Sequence, residues 1–292
     1  METLAYFSYK GGSGRSSLLY NTIPFLAKKL RATPQRPLLI LDMDIDSAGL
    51  TFLYSHKAQK AALYTQNIIA GSYPGRYSCV EDIAAHPFFQ ALVGIGDVYG
   101  FEERSILFLP ARTEGAIGVE QDSNSYYIEG NPFDDIKALC EDFDCCGMIF
   151  DCPTGSQMTA DVSLRLSSKL VTVMRITLQF RKGTYSFLAG FDPKVANKKY
   201  IIVPNAVPSD NIVLDDIPYN YEAVKNEIKN KISDIIKYND VNFGMLENGR
   251  FGVPEVVRFK FREDILYNME KHSPDEQKAL EMYEAFADLI TE

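Results

Sequence analysis

Short apolar runs, each closed by Gly, Pro or Asp, alternate along this chain with segments of helical periodicity, and that alternation limits the fold more than any other feature. Strands are expected at 4–9, 37–41, 106–109, 148–150, 170–174, 200–203 and 255–259, where β-branched and aromatic residues concentrate. Helical spacing covers 16–30, 58–70, 80–93, 131–143, 158–166, 181–189, 222–236 and 274–290. Apolar strands joined through helices form a parallel sheet covered on both faces, with right-handed crossovers. The expectation is a single α/β domain over residues 1–292, in three α/β/α layers around a mostly parallel, twisted sheet of about seven strands. Asn131-Pro132 and Ser273-Pro274-Asp275-Glu276 mark two helix starts, each with a capping side chain before a proline at the first helical position.

Composition narrows the function classes. With 46% hydrophobic residues and only 19 Gly and 14 Pro in 292, the chain is neither disordered nor fibrous. Its 30 Lys and Arg against 39 Asp and Glu give a net charge of -9, which repels polyanions unless bases cluster locally. Lys194, Lys198 and Lys199 form one such group; Lys225, Lys229, Lys231 and Lys237 are interleaved with Glu222, Glu227 and Asp234, the pattern of a solvated helix face. Nonspecific DNA is thus a disfavoured partner. No run approaches the roughly 18 apolar residues that cross a bilayer, and METLAYFSYK lacks a basic segment ahead of an apolar one. The 274–290 helix carries acids where a lipid-lying helix needs bases, so no stable membrane anchor is expected. Five cysteines without a Cys-x-x-Cys pair fit a reducing, cytoplasmic setting, with Cys145 and Cys146 packing as small hydrophobes.

The chemistry concentrates in Tyr9-Lys10-Gly11-Gly12-Ser13-Gly14-Arg15-Ser16-Ser17, after an apolar strand and before a helix. Gly11, Gly12 and Gly14 let the backbone curl until successive N–H groups converge on a phosphate, and the helix adds its positive dipole end. Ser16 offers a hydroxyl to a Mg2+ ion bridging nucleotide phosphates. Arg15 stands where the phosphate-loop pattern has lysine, and a second base, Lys10, opens the loop.

Lys-Gly-Gly-x-Gly-Arg-Ser-Ser resembles the deviant Walker A motif of the ParA/MinD family of P-loop ATPases, in its arginine form. The resemblance implies the P-loop NTPase fold, with Gly11 to Ser17 cradling ATP or ADP, Arg15 contacting phosphate within the chain and Lys10 reaching the partner subunit's nucleotide across a sandwich dimer. Guanidinium is planar and larger than ammonium, so slow turnover is expected. Further matches follow. Leu38-Leu39-Ile40-Leu41-Asp42-Met43-Asp44 resembles the family's second motif, which implies that Asp44 positions the attacking water and Asp42 supports the metal site. Met148-Ile149-Phe150-Asp151-Cys152-Pro153-Thr154-Gly155 resembles its Walker B switch, with Asp151 holding Mg2+ through water and Gly155 sensing the γ-phosphate. Asn205, closing an apolar strand, matches the position that reads the adenine edge, a task an amide suits because it donates and accepts.

The resemblance runs from Leu4 to about Asp264 and matches nothing at 54–103 or 212–250. The polar stretches 110–130 and 239–252 read as functional loops or excursions. The implied function is a Mg2+-dependent ATPase switch that dimerises around ATP and regulates or positions an unknown protein activator or cargo. Two alternatives stand beside it: a synthetase that activates a carboxylate with ATP, and a nucleotide-binding scaffold that does not hydrolyse. Iron-sulfur carriers and tyrosine kinases of related fold are disfavoured, because cluster-spaced cysteines and a terminal tyrosine cluster are missing.

Overall fold

The computed structural model describes residues 1–75, 78, 80–112, 131–155, 158–189, 199–205, 213–214, 217–218, 241–243 and 274–292, with isolated positions between 223 and 234. Its strands are β1 (Glu2–Ser8), β2 (Leu38–Asp42), β3 (Val93–Gly94), β4 (Ile106–Leu109), β5 (Gly147–Thr154), β6 (Lys169–Arg175), β7 (Lys199–Asn205), β8 (Val213–Leu214), β9 (Ile217–Pro218) and β10 (Val241–Phe243). Eight of them form one sheet in the order β10-β7-β6-β1-β5-β2-β4-β3, and β8 pairs with β9 apart from it. All pairings in the large sheet are parallel except β3 with β4. The sheet is the mostly parallel one expected from the alternation, extended by two short strands. Val93, the end of the expected 80–93 helix, is in strand β3 instead, and Val241–Phe243 lies in the stretch expected to be a loop or excursion. The strand expected at 255–259 and most of the loop at 110–130 lie outside the described residues.

The helices are α1 (Arg15–Lys29), α2 (Gly49–Leu53), α3 (Ser55–Ala58), α4 (Thr65–Ile69), α5 (Pro87–Ala91), α6 (Pro132–Asp142), α7 (Met158–Leu166), α8 (Leu178–Ala189) and α9 (Pro274–Thr291). Side chains alternate across each strand, so Leu4 and Tyr6 enter one core with α1, α2, α3 and α9, while Ala5 and Phe7 enter the other with α4 to α8. The result is three layers. Asn131 caps α6 as expected, its side chain accepting from the Phe133 N–H with Pro132 at the first helical position.

Two expected helices are broken. The segment 58–70 unwinds after α3 because Thr65 is anchored to the sheet: its N–H donates to the Pro110 carbonyl at 2.9 Å and its hydroxyl to the Asp42 carbonyl at 2.7 Å. The segment 80–93 divides into a 3-10 turn at Ile83–Ala85 and α5, since Pro87 cannot continue a helix and instead starts one behind the His86 cap. Helix α9 docks on α1 through Leu280, Tyr283, Phe286, Ala287 and Ile290; of the expected Ala279, Met282, Phe286, Leu289 stripe, Phe286 is fully buried and Met282 and Leu289 pack partly buried against the same core, so the buried face is centred slightly to one side of that stripe. Burying Leu280, Phe286 and Ile290 contributes about 1.5–3 kcal/mol each. Lys28–Glu284 and Lys29–Asp288 ion pairs flank that seam.

Pro24 sits inside α1 and has no N–H for the carbonyl four residues earlier. That carbonyl, of Tyr20, accepts instead from the Tyr99 hydroxyl at 3.2 Å, and Tyr99 is itself hydrogen-bonded to Tyr54. The unmatched segment is thereby fastened to the helix that begins at the glycine-rich loop. Cys140, Cys145, Cys146 and Cys152 are all buried free thiols, in keeping with the reading of Cys145 and Cys146 as small hydrophobes. Among the described residues no helix is long and apolar enough to cross a membrane.

Candidate functional site

The site lies where the carboxyl ends of β1, β5 and β2 meet, because the chain's three chemical motifs each follow one of these adjacent strands. Gly12 and Gly14 have φ of 74° and 86°, a left-handed conformation that glycine adopts without a Cβ clash, and this turns the chain from β1 into α1. Gly11 and Gly12 are exposed while Ser13 is buried. The amides at the start of α1 are the kind that receive a phosphate.

Arg15 is 5% exposed and its guanidinium lies between two acids. Nε donates to Asp151 Oδ1 at 2.6 Å and one terminal nitrogen, Nη2, donates to Asp44 Oδ2 at 3.0 Å. The same Nη2 is 3.5 Å from the Ser16 hydroxyl. The other terminal nitrogen, Nη1, and the second Asp151 oxygen, Oδ2, are both buried without a hydrogen-bond partner among the described residues. The parallel register of β2 and β5 puts Asp42 directly beside Asp151. Asp42 is buried with both oxygens engaged: Oδ1 accepts from the Asp44 N–H at 3.1 Å, and Oδ2 accepts from the Thr51 N–H and hydroxyl at 2.8 and 2.7 Å. Asp44 Oδ1 accepts from the Ser47 N–H. Gly49 approaches so closely that a Cβ there would lie 3.2 Å from the Ser16 hydroxyl.

Burial pushes the Asp42 carboxyl up to about 7, with the neighbouring Asp151 charge adding to it and the Thr51 hydrogen bonds opposing it. Burial also raises Asp151, against the opposing pull of the Arg15 charge. Burial works against the charge on Arg15 as well, yet Asp151 and Asp44 outweigh it and keep the guanidinium firmly ionised. Cys152, next to Asp151 in β5, is buried and its thiol is pushed up to about 12, so it stays protonated.

The fold therefore brings Arg15, Ser16, Asp42, Asp44 and Asp151 together. Among the described residues no three acid, His or Cys side chains converge as a metal site complete in itself; with Arg15 in place, what stays open to a hard divalent cation is the Ser16 hydroxyl and one buried Asp151 oxygen. Lys10 stands half-buried at the start of the loop, with no hydrogen bond or ion pair among the described residues. Gly155 ends the β5 turn with φ of 74°. Asn205 is the last residue of β7, in register with Arg175 of β6.

Arg175 and Thr51 escaped sequence reading. Arg175 donates from Nε to the Gly12 carbonyl at 2.8 Å and so steadies the loop from the far side of β1. Its signal was a lone cation closing an apolar strand. Thr51 carried no such mark, since its role depends on a turn that periodicity does not show. Gly183 of α8 abuts the residue before Lys10: a Cβ there would fall 2.1 Å from the Tyr9 ring. Gly183→Ala is therefore expected to displace Tyr9, cost about 1–3 kcal/mol as an overpacked contact and weaken nucleotide binding. A thermal melt and a nucleotide titration of the same sample check both effects.

No family model matches the chain, and no curated protein matches it either. Solved structures do. The ParA family ATPase from Chlorobium tepidum superposes with a TM-score of 0.61 at 14% identity, covering 99% of this chain and 98% of that one. The septum site-determining protein MinD complexed with Mg-ADP from Pyrococcus horikoshii gives 0.57 at 16%, covering 99% and 95%. Cobyrinic acid a,c-diamide synthase from Mycobacterium smegmatis gives 0.57 at 16%, covering 99% and 93%. At such identities the likeness concerns architecture, and over nearly its whole length this chain has the fold of the MinD and ParA-family ATPases.

Proposed function

We propose that this chain is a ParA/MinD-type adenine-nucleotide switch: it binds ATP with Mg2+ as a single cytoplasmic domain, forms a face-to-face homodimer around the nucleotide, and dissolves it by slow hydrolysis. The observation that carries this reading is the Arg15 guanidinium held between Asp151 and Asp44 at the mouth of a glycine turn, at the ends of adjacent parallel strands. Ligands of open α/β sheets bind beyond the carboxyl ends of strands, where these groups lie. That MinD of this fold was solved with Mg-ADP supports the choice of ligand.

In this reading the backbone N–H groups of Gly11 to Ser17 cradle the phosphates and Arg15 neutralises them. Mg2+, when bound, supplies charge stabilisation for the transferring phosphoryl group, and Ser16 and Asp151 are the residues that would hold it, with Asp42 bracing them. Asp44 orients the attacking water. Gly155 reports the γ-phosphate through its turn, Asn205 reads the adenine edge and Lys10 reaches the partner subunit's nucleotide. Exposed apolar residues in helices that follow the carboxyl ends of β2 and β6, Phe52 at 61% and Leu53 and Leu178 at 38%, support a face that a second copy covers.

The likeness to a diamide synthase keeps a carboxylate-activating enzyme as the second reading. Light scattering with Mg2+ plus ADP and then with a slowly hydrolysed ATP analogue, alongside phosphate release from ATP, separates the two. A monomer with ADP that doubles in mass with the analogue and releases phosphate slowly supports the switch. Constant mass, with rapid release only when a small carboxylate is added, replaces it with the synthetase.

A further inference from the structure

Arg15 does more at this site than its place in a phosphate loop requires. Two of its three guanidinium nitrogens lie on two different carboxylates, Asp151 at 2.6 Å and Asp44 at 3.0 Å, from strand ends that the sheet brings together. Asp151 and the Ser16 hydroxyl, which lies 3.5 Å from Nη2, are oxygen ligands a divalent cation would take, and Asp44 sets a second carboxylate beside them. A lysine would set a compact charge against one acid at a time, whereas the arginine fork spans both. Nor can the guanidinium step aside by losing its proton, because it stays charged at any ordinary pH.

We propose that Arg15 is a tethered cation that closes the divalent-metal site, occupying Asp44 and Asp151 so that metal does not bind until nucleotide phosphates draw the guanidinium away. Two details support this. Among the described residues Asp151 Oδ2 is buried without a hydrogen-bond partner, so Arg15 leaves one oxygen of the site open. Among the described residues Arg15 Nη1 is buried without an acceptor, a ready first contact for a phosphate oxygen entering over the exposed Gly11 and Gly12. Nucleotide then precedes metal, and the latch keeps the site from filling with metal alone. The inference rests on the proposed phosphate binding for its trigger, while the closure itself is a property of Arg15 and the two acids.

The test uses Mn2+ alone, its unbound fraction read by electron paramagnetic resonance, with full-length protein stripped of nucleotide. The wild type is expected to leave the ion free. Arg15→Gln is expected to gain one site at least about tenfold tighter, the scale on which one neighbouring charge shifts an ionic equilibrium. Arg15→Lys, which keeps the charge but not the span, should fall between and stands in if the glutamine variant does not fold, as judged by circular dichroism. Adding Asp151→Asn to either variant should abolish the gained site. Wild-type binding as tight as the variants', no gain in either variant, or a gain that survives Asp151→Asn would each overturn the proposal. A fluorescent ATP analogue titrated into wild-type protein in EDTA tests the phosphate reading separately, so its failure is distinguishable from that of the latch.

Discussion

Replacing Arg15 with Met is expected to lower the stability of the protein by about 3–5 kcal/mol, because a side chain of similar reach then leaves three carboxylates beside one another without their buried counterion. The loss should depend on pH, and its sign follows from the direction in which the acids are shifted. Asp42 and Asp151 are both raised in the fold. The stability such groups allow is fully present below the ordinary carboxylate range and is lost as pH rises through the folded value, which for Asp42 is about 7. Protonation relieves the variant's repulsion in acid, so its deficit relative to wild type should be smallest near pH 5 and largest near pH 8. Urea unfolding of both proteins at the two pH values measures this. Equal deficits would show that Arg15 acts by packing and not by charge.

Lys10→Ala should leave nucleotide binding nearly intact while abolishing ATP-dependent dimerisation. The grounds are positional: Lys10 stands at the outer start of the loop, where no acid among the described residues holds it, whereas Arg15 is locked into the site of its own chain. A lysine so placed is available to a phosphate on a facing subunit as a long, flexible point charge. Sedimentation velocity with the slowly hydrolysed analogue should give a monomer for the variant and a dimer for wild type, with matched affinities in a fluorescent-nucleotide titration. A variant that still dimerises removes the lysine from any role across the interface; one that loses binding places it in the loop's own chemistry.

The parallel sheet, the motif-bearing strands and the glycine turn were legible because each leaves a local mark: an apolar run, an acid at its end, a glycine where the backbone must turn. What sequence reading missed depends on contacts at a distance. Thr65 is pinned by the carbonyls of Pro110 and Asp42, which breaks a helix that periodicity alone predicts. The most deeply buried face of α9 is shifted toward Tyr283, whose hydroxyl accepts from the Asn21 amide, a preference set by α1 and not by the helix itself. At the site, Asp42 and Asp151 were recognisable as separate motif acids, but their register across β2 and β5, and Arg15 lying on Asp44 and Asp151 together, are properties of the folded sheet.

The central position of β1 also bears on how the site comes into being. The strand that delivers the glycine loop has as its neighbours β5 and β6, so its edges stay unpaired until much later segments arrive. Arg15 meets Asp151 across 136 residues of chain, and Gly12 meets Arg175 across 163. Each contact closes a long loop before any local reward is collected, the circumstance that slows folding and prolongs exposure of apolar strand edges. During synthesis the glycine loop emerges well before the strands that complete its surroundings, and a ribosome-bound chain lacks the Arg15–Asp151 and Gly12–Arg175 contacts until β6 has left the exit tunnel.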